Sequence, residues 1–373
     1  MLSRYLRHVL PAGTTARGCG HVSGRLAATI GLLTALAALA FTYPGALTTA
    51  ELAPVWQGTT PRTLLMGGLV ATYLTALFNL AWRTRNRGAW IGLGLAGLAI
   101  LLGAPDVTAR DAALALPIGL DWLVLGALTT PPVFIALEKL VPLRAAQPVL
   151  RKAWTLDTAY FVVNHLAVSA FVVAASWSAE ALFGGLALPG VAAVTRNLPV
   201  PVQALALWLA VDFCFYWQHR AMHEVPFLWR FHAIHHSAER MDWLASSRLH
   251  FAEVWLSRTV GLLPIIALGF DQAAVGLFVV AVSIHATLIH ANARITFGPF
   301  EHVFVGPKNH HWHHAKDWAG VDRNYAAAFA WPDRLFGTYH NPPQWPDAYG
   351  TMAGTEPTTL ARQALHPFRR AER

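Results

Sequence analysis

Cysteine is almost absent from this chain. Cys19 and Cys214 are the only two in 373 residues, and Cys214 lies inside an apolar run. Such a pair builds neither a disulfide framework nor a thiolate-held zinc or iron–sulfur site. Charge is scarce too. Asp, Glu, Lys and Arg make up 13% of the residues, against about 25% in a soluble domain, which excludes an ordinary water-soluble globule. No acidic residue precedes Glu51, and the chain carries neither an internal repeat nor a low-complexity linker. The formal net charge of +8 does not call for nucleic acid as a partner, because the basic residues sit in short loops between apolar segments, where they set membrane topology.

Apolar sequence fills the space instead. Hydrophobic residues reach 55%, and several runs attain the ~20 residues that cross a bilayer. Crossings are expected near 26–43, 62–82, 89–104, 118–137, 154–176, 200–218, 252–270 and 272–290. The expected fold class is an all-α, polytopic membrane helix bundle of about eight spans, carrying a cytoplasmic, helical, histidine-rich metal-binding cap. The third segment is short and carries Gly92, Gly94 and Gly97, which reads as ordinary close helix packing. The basic stretch 1–25 reads as a cytoplasmic lead into an uncleaved first span, since the apolar run starts too late for a cleaved signal.

Basic residues orient the bundle. Arg4, Arg7, Arg17 and Arg25, then Arg83, Arg85 and Arg87, then Arg144, Arg151 and Lys152 fall on one side, which the positive-inside rule assigns to the cytoplasm. The sixth span is expected to end near Trp217, before His219, and the last hairpin to return at His290. Residues 1–150 read as accessory transmembrane helices, 151–345 as the functional core and 346–373 as a C-terminal tail. Abundant arginine and alanine favour a GC-rich bacterial genome, hence a multi-pass protein of a bacterial inner membrane.

Thirteen of the eighteen histidines lie between His219 and His314. Nine form an array: His219 and His223; His232, His235 and His236; His290; His310, His313 and His314. Spacings of three and four put imidazoles one helical turn apart, so they are expected to converge on one face. Neutral imidazole is the commonest protein ligand for transition metals. Nine exceed the needs of a single zinc, which takes three protein ligands and an open position, and suit a dinuclear centre. His250 is either a further ligand or a partner to one; His285 reads as core packing, and His302 and His311 as surface residues or partners. Asp212 and Glu224 flank the motifs and read as groups that orient ligands or hold structure. Two rival readings remain: a membrane zinc-dependent hydrolase, which lacks a glutamate beside its paired histidines, and a non-enzymatic metal-binding or transport protein, which would place ligands near the bilayer midplane.

The motifs also carry a resemblance. Asp212-Phe-Cys-Phe-Tyr-Trp-Gln-His219-Arg-Ala-Met-His223 resembles the first histidine box of the fatty acid hydroxylase/sterol desaturase superfamily, and Trp229-Arg-Phe-His232-Ala-Ile-His235-His236-Ser237 its second. His310-His-Trp-His313-His314, followed by Asp322-Arg-Asn324-Tyr325 and Leu335-Phe336-Gly337-Thr338, resembles the third, with His290 as the isolated histidine ahead of it. The tract from His290 to Gly337 is most similar to the bacterial sterol-desaturase-type and alkylglycerol-monooxygenase branches. Pro332 between Trp331 and Asp333 departs from the pattern. The resemblance covers about residues 150–340 and implies a non-haem diiron enzyme holding two Fe ions, with O2 as co-substrate. It implies a lipid taken from the bilayer (fatty acyl, alkyl, or sterol/isoprenoid) that is hydroxylated or desaturated at an unactivated C–H bond. It also implies a separate electron donor of ferredoxin, cytochrome or reductase type, since no haem, flavin or ferredoxin motif is present. Substrate, position of attack and oligomeric state are not legible.

Overall fold

The computed structural model describes residues 21–49, 52, 56, 59–82, 86–104, 116–317 and 319–369. The basic lead through residue 20, with Cys19, and the loop arginines Arg83 and Arg85 lie outside them. The described residues are helical with short connections, joined by isolated bridges such as Phe304 with Phe329. Among the described residues, seven helices are long and apolar enough to cross a membrane: Val22–Thr42, Thr60–Ala81, Leu120–Leu140, Val168–Leu186, Val200–Glu224, Phe251–Leu268 and Gln272–His290. The chain is an integral membrane protein. Two expected crossings differ. Helix Arg87–Leu101 has 15 residues, about 22 Å at 1.5 Å per residue, short of a hydrocarbon core of ~30 Å. The expected span at 154–176 is two helices, Trp154–Leu166 and Val168–Phe183.

The chain divides into two compact units. The first comprises residues 1–130 and 165–169. Its core joins Ala35, Ala38 and Phe41 to Leu65, Leu69, Ala96 and Ala99. Helix Arg87–Leu101 lies directly on the first helix: a Cβ on Gly92 would stand 2.7 Å from the Ala27 backbone, so only glycine permits this approach. Gly94 and Gly97 face open space and serve no such contact. Asp121 is buried and accepts hydrogen bonds from the Thr49 backbone (2.8 Å) and hydroxyl (3.0 Å).

The second unit comprises 131–164 and 170–373. Helix Val200–Glu224 is its spine, packing against Phe251–Leu268 and Gln272–His290 through Leu207, Phe270 and Phe278. Its two faces differ. Val202, Leu205, Leu209, Phe213 and Trp217 follow one another at helical spacing and stand 36–51% exposed, a stripe that suits lipid and would be a liability in water. Elsewhere the helix buries Gln203, Leu207, Asp212, Tyr216 and His219. The helix also runs past the expected end at Trp217, carrying His219 and His223 in its last turns. It stops at Val225, whose extended backbone (φ −97°, ψ 112°) is what a residue preceding proline adopts.

Helix Trp154–Leu166 gives way to Val168–Phe183 at residue 167, and its first turn carries an acid that belongs to the interior. Asp157 pairs with Arg151 (2.6 Å) and Arg248, and Arg151 pairs with Asp242 (2.7 Å), all buried. Arg151 is thus a core ion-pair residue rather than an exposed topological signal. Lys152, in an exposed pair with Glu239, keeps the expected character.

Candidate metal centre

All nine histidines of the array meet, in two groups. His219, His223, His232, His236 and His313 form the first; His235, His290, His310 and His314 form the second. Within each group every ring offers one nitrogen, all within 4.8 Å of one another. The partition is not the single converging face expected from spacing. Each i,i+4 pair stays together: 219/223 and 232/236 in the first group, 310/314 in the second. The odd member of each His-x-x-His-His motif points about a third of a turn away. His235 thereby joins the second group and His313 the first. The groups abut, with the His236 and His314 rings stacked 4.4 Å apart.

Besides helix Val200–Glu224, which carries His219 and His223, three helices deliver these rings. Helix Pro226–His236 starts on a proline, which suits the first helical turn, and buries His232, His235 and His236. Helix Pro307–His313 does the same for His310 and His313. His290 closes helix Gln272–His290.

The hydrogen bonds around the rings decide which nitrogen is bare. His219 Nδ1 donates to the Tyr325 carbonyl (2.6 Å), His235 Nδ1 to that of Arg248 (3.1 Å), His290 Nδ1 to that of Ala286 (2.6 Å) and His313 Nδ1 to that of Arg323 (2.8 Å). A carbonyl only accepts, so in each neutral ring Nε2 carries a lone pair. Yet Nε2 faces Nε2 throughout. The separations are 2.9 Å for His219–His232, 3.1 Å for His232–His236 and 3.1 Å for His236–His313 in the first group. In the second they are 3.2 Å for His235–His290, 3.0 Å for His290–His310 and 3.1 Å for His310–His314. For His235 and His290 both nitrogens are bare, and lone pairs repel at that distance. Protonation offers no escape, because burial holds His232, His235, His236, His310, His313 and His314 well below the usual imidazole range. A cation between the nitrogens removes the conflict. Nitrogens ~2.1 Å from one metal at 90–110° stand about 3.0–3.4 Å apart, so the residues fit two metal ions. His223 Nε2, buried without a partner, adds a further donor to the first group.

Carboxylates orient two rings, and neither is a flanking acid singled out from sequence. Glu253 accepts from His232 Nδ1 (2.8 Å) and Asp322 from His223 Nδ1 (3.2 Å). Asp212 instead accepts the backbone N–H groups of Ala327, Ala328 and Phe329. Asp333 accepts those of Tyr325 and Ala326. Together they fix the loop whose Tyr325 carbonyl orients His219. Glu224 pairs with Arg220 on the surface. Pro332 enters the first turn of helix Trp331–Leu335, where proline costs no hydrogen bond. Glu253→Leu is expected to weaken metal retention of the first group by about 10–100-fold, while Glu253→Gln keeps an acceptor and most of the affinity; a chelator titration checks both.

The remaining histidines separate cleanly. His250 accepts the Ala252 N–H through Nδ1 (3.1 Å) and donates to the Ala364 carbonyl (3.1 Å), so it caps helix Phe251–Leu268 rather than joining either group. His250→Ala is expected to cost about 1 kcal/mol of stability and to leave metal content unchanged, as elemental analysis and thermal unfolding would show. His311 is no surface residue: it is fully buried between the Tyr349 hydroxyl and the Ala291 carbonyl, and burial lowers its pKa to about 3. His285 donates to the Ala327 carbonyl and packs on Trp208. His302 is exposed.

A cavity of about 330 Å3 reaches the first group, lined by His223, His236 and His313 with Trp229, Asp322 and Met352 among others. Asp322 holds a left-handed backbone, φ 56°, uncommon for a residue with a side chain and typical of strain kept at functional sites.

Residues 204–338 match the family model described as fatty acid hydroxylase. This part of the chain is similar to the fatty acid hydroxylase family. All nine clustered histidines, Asp212 and Glu253 fall inside the match. Among curated relatives, the ornithine lipid hydroxylase of Rhizobium tropici is 33% identical over 47% of this chain and 53% of its own. Human alkylglycerol monooxygenase is 30% identical over 38% of this chain and 32% of its own. A Delta(7)-sterol 5(6)-desaturase of Gibberella zeae is 32% identical over 37% of each. The chain therefore spans about half the length of the first of these relatives and about a third of the others. No solved structure matches it.

Proposed function

We propose that this protein is a membrane-bound, non-haem diiron oxygenase that uses O2 and external electrons to hydroxylate or desaturate a lipid C–H bond. The observation that carries the reading is the facing of bare Nε2 atoms in two adjacent all-imidazole groups within a fatty acid hydroxylase domain. An all-imidazole donor set suits iron, copper, nickel or zinc; the relatives, named as a hydroxylase, a monooxygenase and a desaturase, favour iron. Two irons would supply the reduction of dioxygen and the oxidation of an unactivated C–H bond. The protein's share is positioning. His219, His223, His232, His236 and His313 would hold one ion, and His235, His290, His310 and His314 the other. The carbonyls of Tyr325, Arg248, Ala286 and Arg323 keep Nδ1 protonated on His219, His235, His290 and His313, so that Nε2 of these four rings stays free to ligate. The cavity against His223, His236 and His313 gives substrate an approach to the first ion.

We assign catalysis to residues 151–345, with 1–150 as accessory helices and 346–373 as the tail, and take the electron donor to be a separate protein of ferredoxin, cytochrome or reductase type. We place the centre on the cytoplasmic face of a bacterial inner membrane; that side assignment counts Arg87–Leu101 as a crossing. Metal analysis with Mössbauer spectroscopy on anaerobically purified protein tests the reading. About two coupled, oxygen-reactive irons per chain are expected. Zinc that persists after iron-replete growth would overturn it.

A further inference from the structure

A second cavity, of about 90 Å3, shares Gly350, Thr351 and Glu356 with the wall of the histidine-lined one. The Thr351 hydroxyl donates to Glu356 (2.6 Å) and braces that wall. Two polar atoms of residues lining the smaller cavity have no partner. Arg248 is 3% exposed; its Nε is spent on Asp157 and its Nη1 on the Ser237 hydroxyl (3.1 Å), but Nη2 is unpaired. Gln363 is 1% exposed; its Nε2 donates to the Pro357 carbonyl (2.7 Å), but Oε1 is unpaired. The Pro357 oxygen only accepts, so the amide cannot be turned round. One buried donor and one buried acceptor thus stand unpaired on two residues of the cavity wall. Lys152, Lys316 and Glu239 also line the cavity. So does Ala153, whose φ of 66° is a conformation that side chains resist.

We infer that this cavity is a headgroup subsite for a carboxylate or phosphate that carries a neighbouring N–H or O–H donor. The oxyanion takes the Arg248 Nη2 hydrogens with Lys152 and Lys316 beside it, and the donor completes Gln363 Oε1. The volume of about 90 Å3 admits the charged end of a headgroup. The two cavities share a wall, so a headgroup held here lies across Gly350, Thr351 and Glu356 from the cavity that reaches the first histidine group. This choice of a charged polar lipid over an uncharged alkyl or sterol substrate rests on the proposed oxygenase reading; the binding itself does not.

The test titrates full-length protein in detergent with O-phosphoethanolamine, glycine and inorganic phosphate, following ligand NMR line broadening. Binding of O-phosphoethanolamine or of glycine is expected, weakened at least tenfold in Lys152→Glu/Lys316→Glu, whose altered side chains are exposed. Which of the two binds separates phosphate-bearing heads from amino-acid heads. Inorganic phosphate binding as tightly as either would assign the site to a free ion and overturn the headgroup role. No binding, or binding indifferent to the double variant, would leave the cavity merely hydrated and overturn the inference. Iron content read on the same sample separates the two claims: probes bound without iron would retain the subsite and sink the oxygenase, and iron without bound probes would do the reverse.

Discussion

His235→Ala and His313→Ala are each expected to lower the iron content from near two per chain to one or fewer, with the amount of protein in the membrane unchanged. The two residues sit on the short helices Pro226–His236 and Pro307–His313, outside the span-length helices, so membrane insertion does not depend on them. Each is the crossover member of its motif, His235 serving the second group and His313 the first. Losing His235 leaves three imidazoles in a group of four; losing His313 leaves four in a group of five. The His235 variant is therefore expected to lose metal more completely. Because the groups abut through His236 and His314, the second ion is expected to loosen in both variants. Elemental analysis checks this, with His302→Ala, altered at an exposed ring, expected to keep both ions. Full iron in the His235 and His313 variants would remove the ligand assignment.

Asp157→Asn is expected to produce the largest loss of stability. Asp157 bridges two buried guanidinium groups, Arg151 and Arg248. Breaking a buried pair from one side leaves uncompensated charge and typically costs 3–5 kcal/mol, on the order of what is lost here. For a chain of this size that corresponds to a fall in Tm on the order of 10 °C, measurable by thermal unfolding in detergent. The same network holds Arg248, whose carbonyl accepts from His235 Nδ1, so iron in the second group is expected to fall as well. Lys152→Gln breaks only an exposed pair, worth about 0–1 kcal/mol, and should leave Tm nearly unchanged.

Properties that live within one helix were legible from the residues in order. Apolar runs announced most of the spans, because crossing a bilayer demands length and hydrophobicity of a contiguous segment. The pairs His219/His223, His232/His236 and His310/His314 were legible because four residues make about one turn. Where the reading failed, the deciding partner lay far away in the chain. Asp157 meets Arg248, 91 positions on, so the first turn of an expected crossing is tied into a buried ion-pair network. His250 looked like a possible ligand until Ala364, 114 residues later, took its Nε2. Glu253 carried no signal, since it stands 21 residues from the imidazole it orients; its one trace was an acid opening an apolar helix.

The sequence alone determined that this is a membrane protein with an array of nine closely spaced imidazoles, because hydropathy and residue chemistry do not depend on packing. The tertiary structure decided how nine imidazoles divide between two groups, which nitrogen is bare in the rings whose Nδ1 meets a carbonyl or carboxylate, and which group a cavity reaches. Those follow from where separate helices and loop carbonyls come to rest against one another, and residue spacing within a single segment does not encode it.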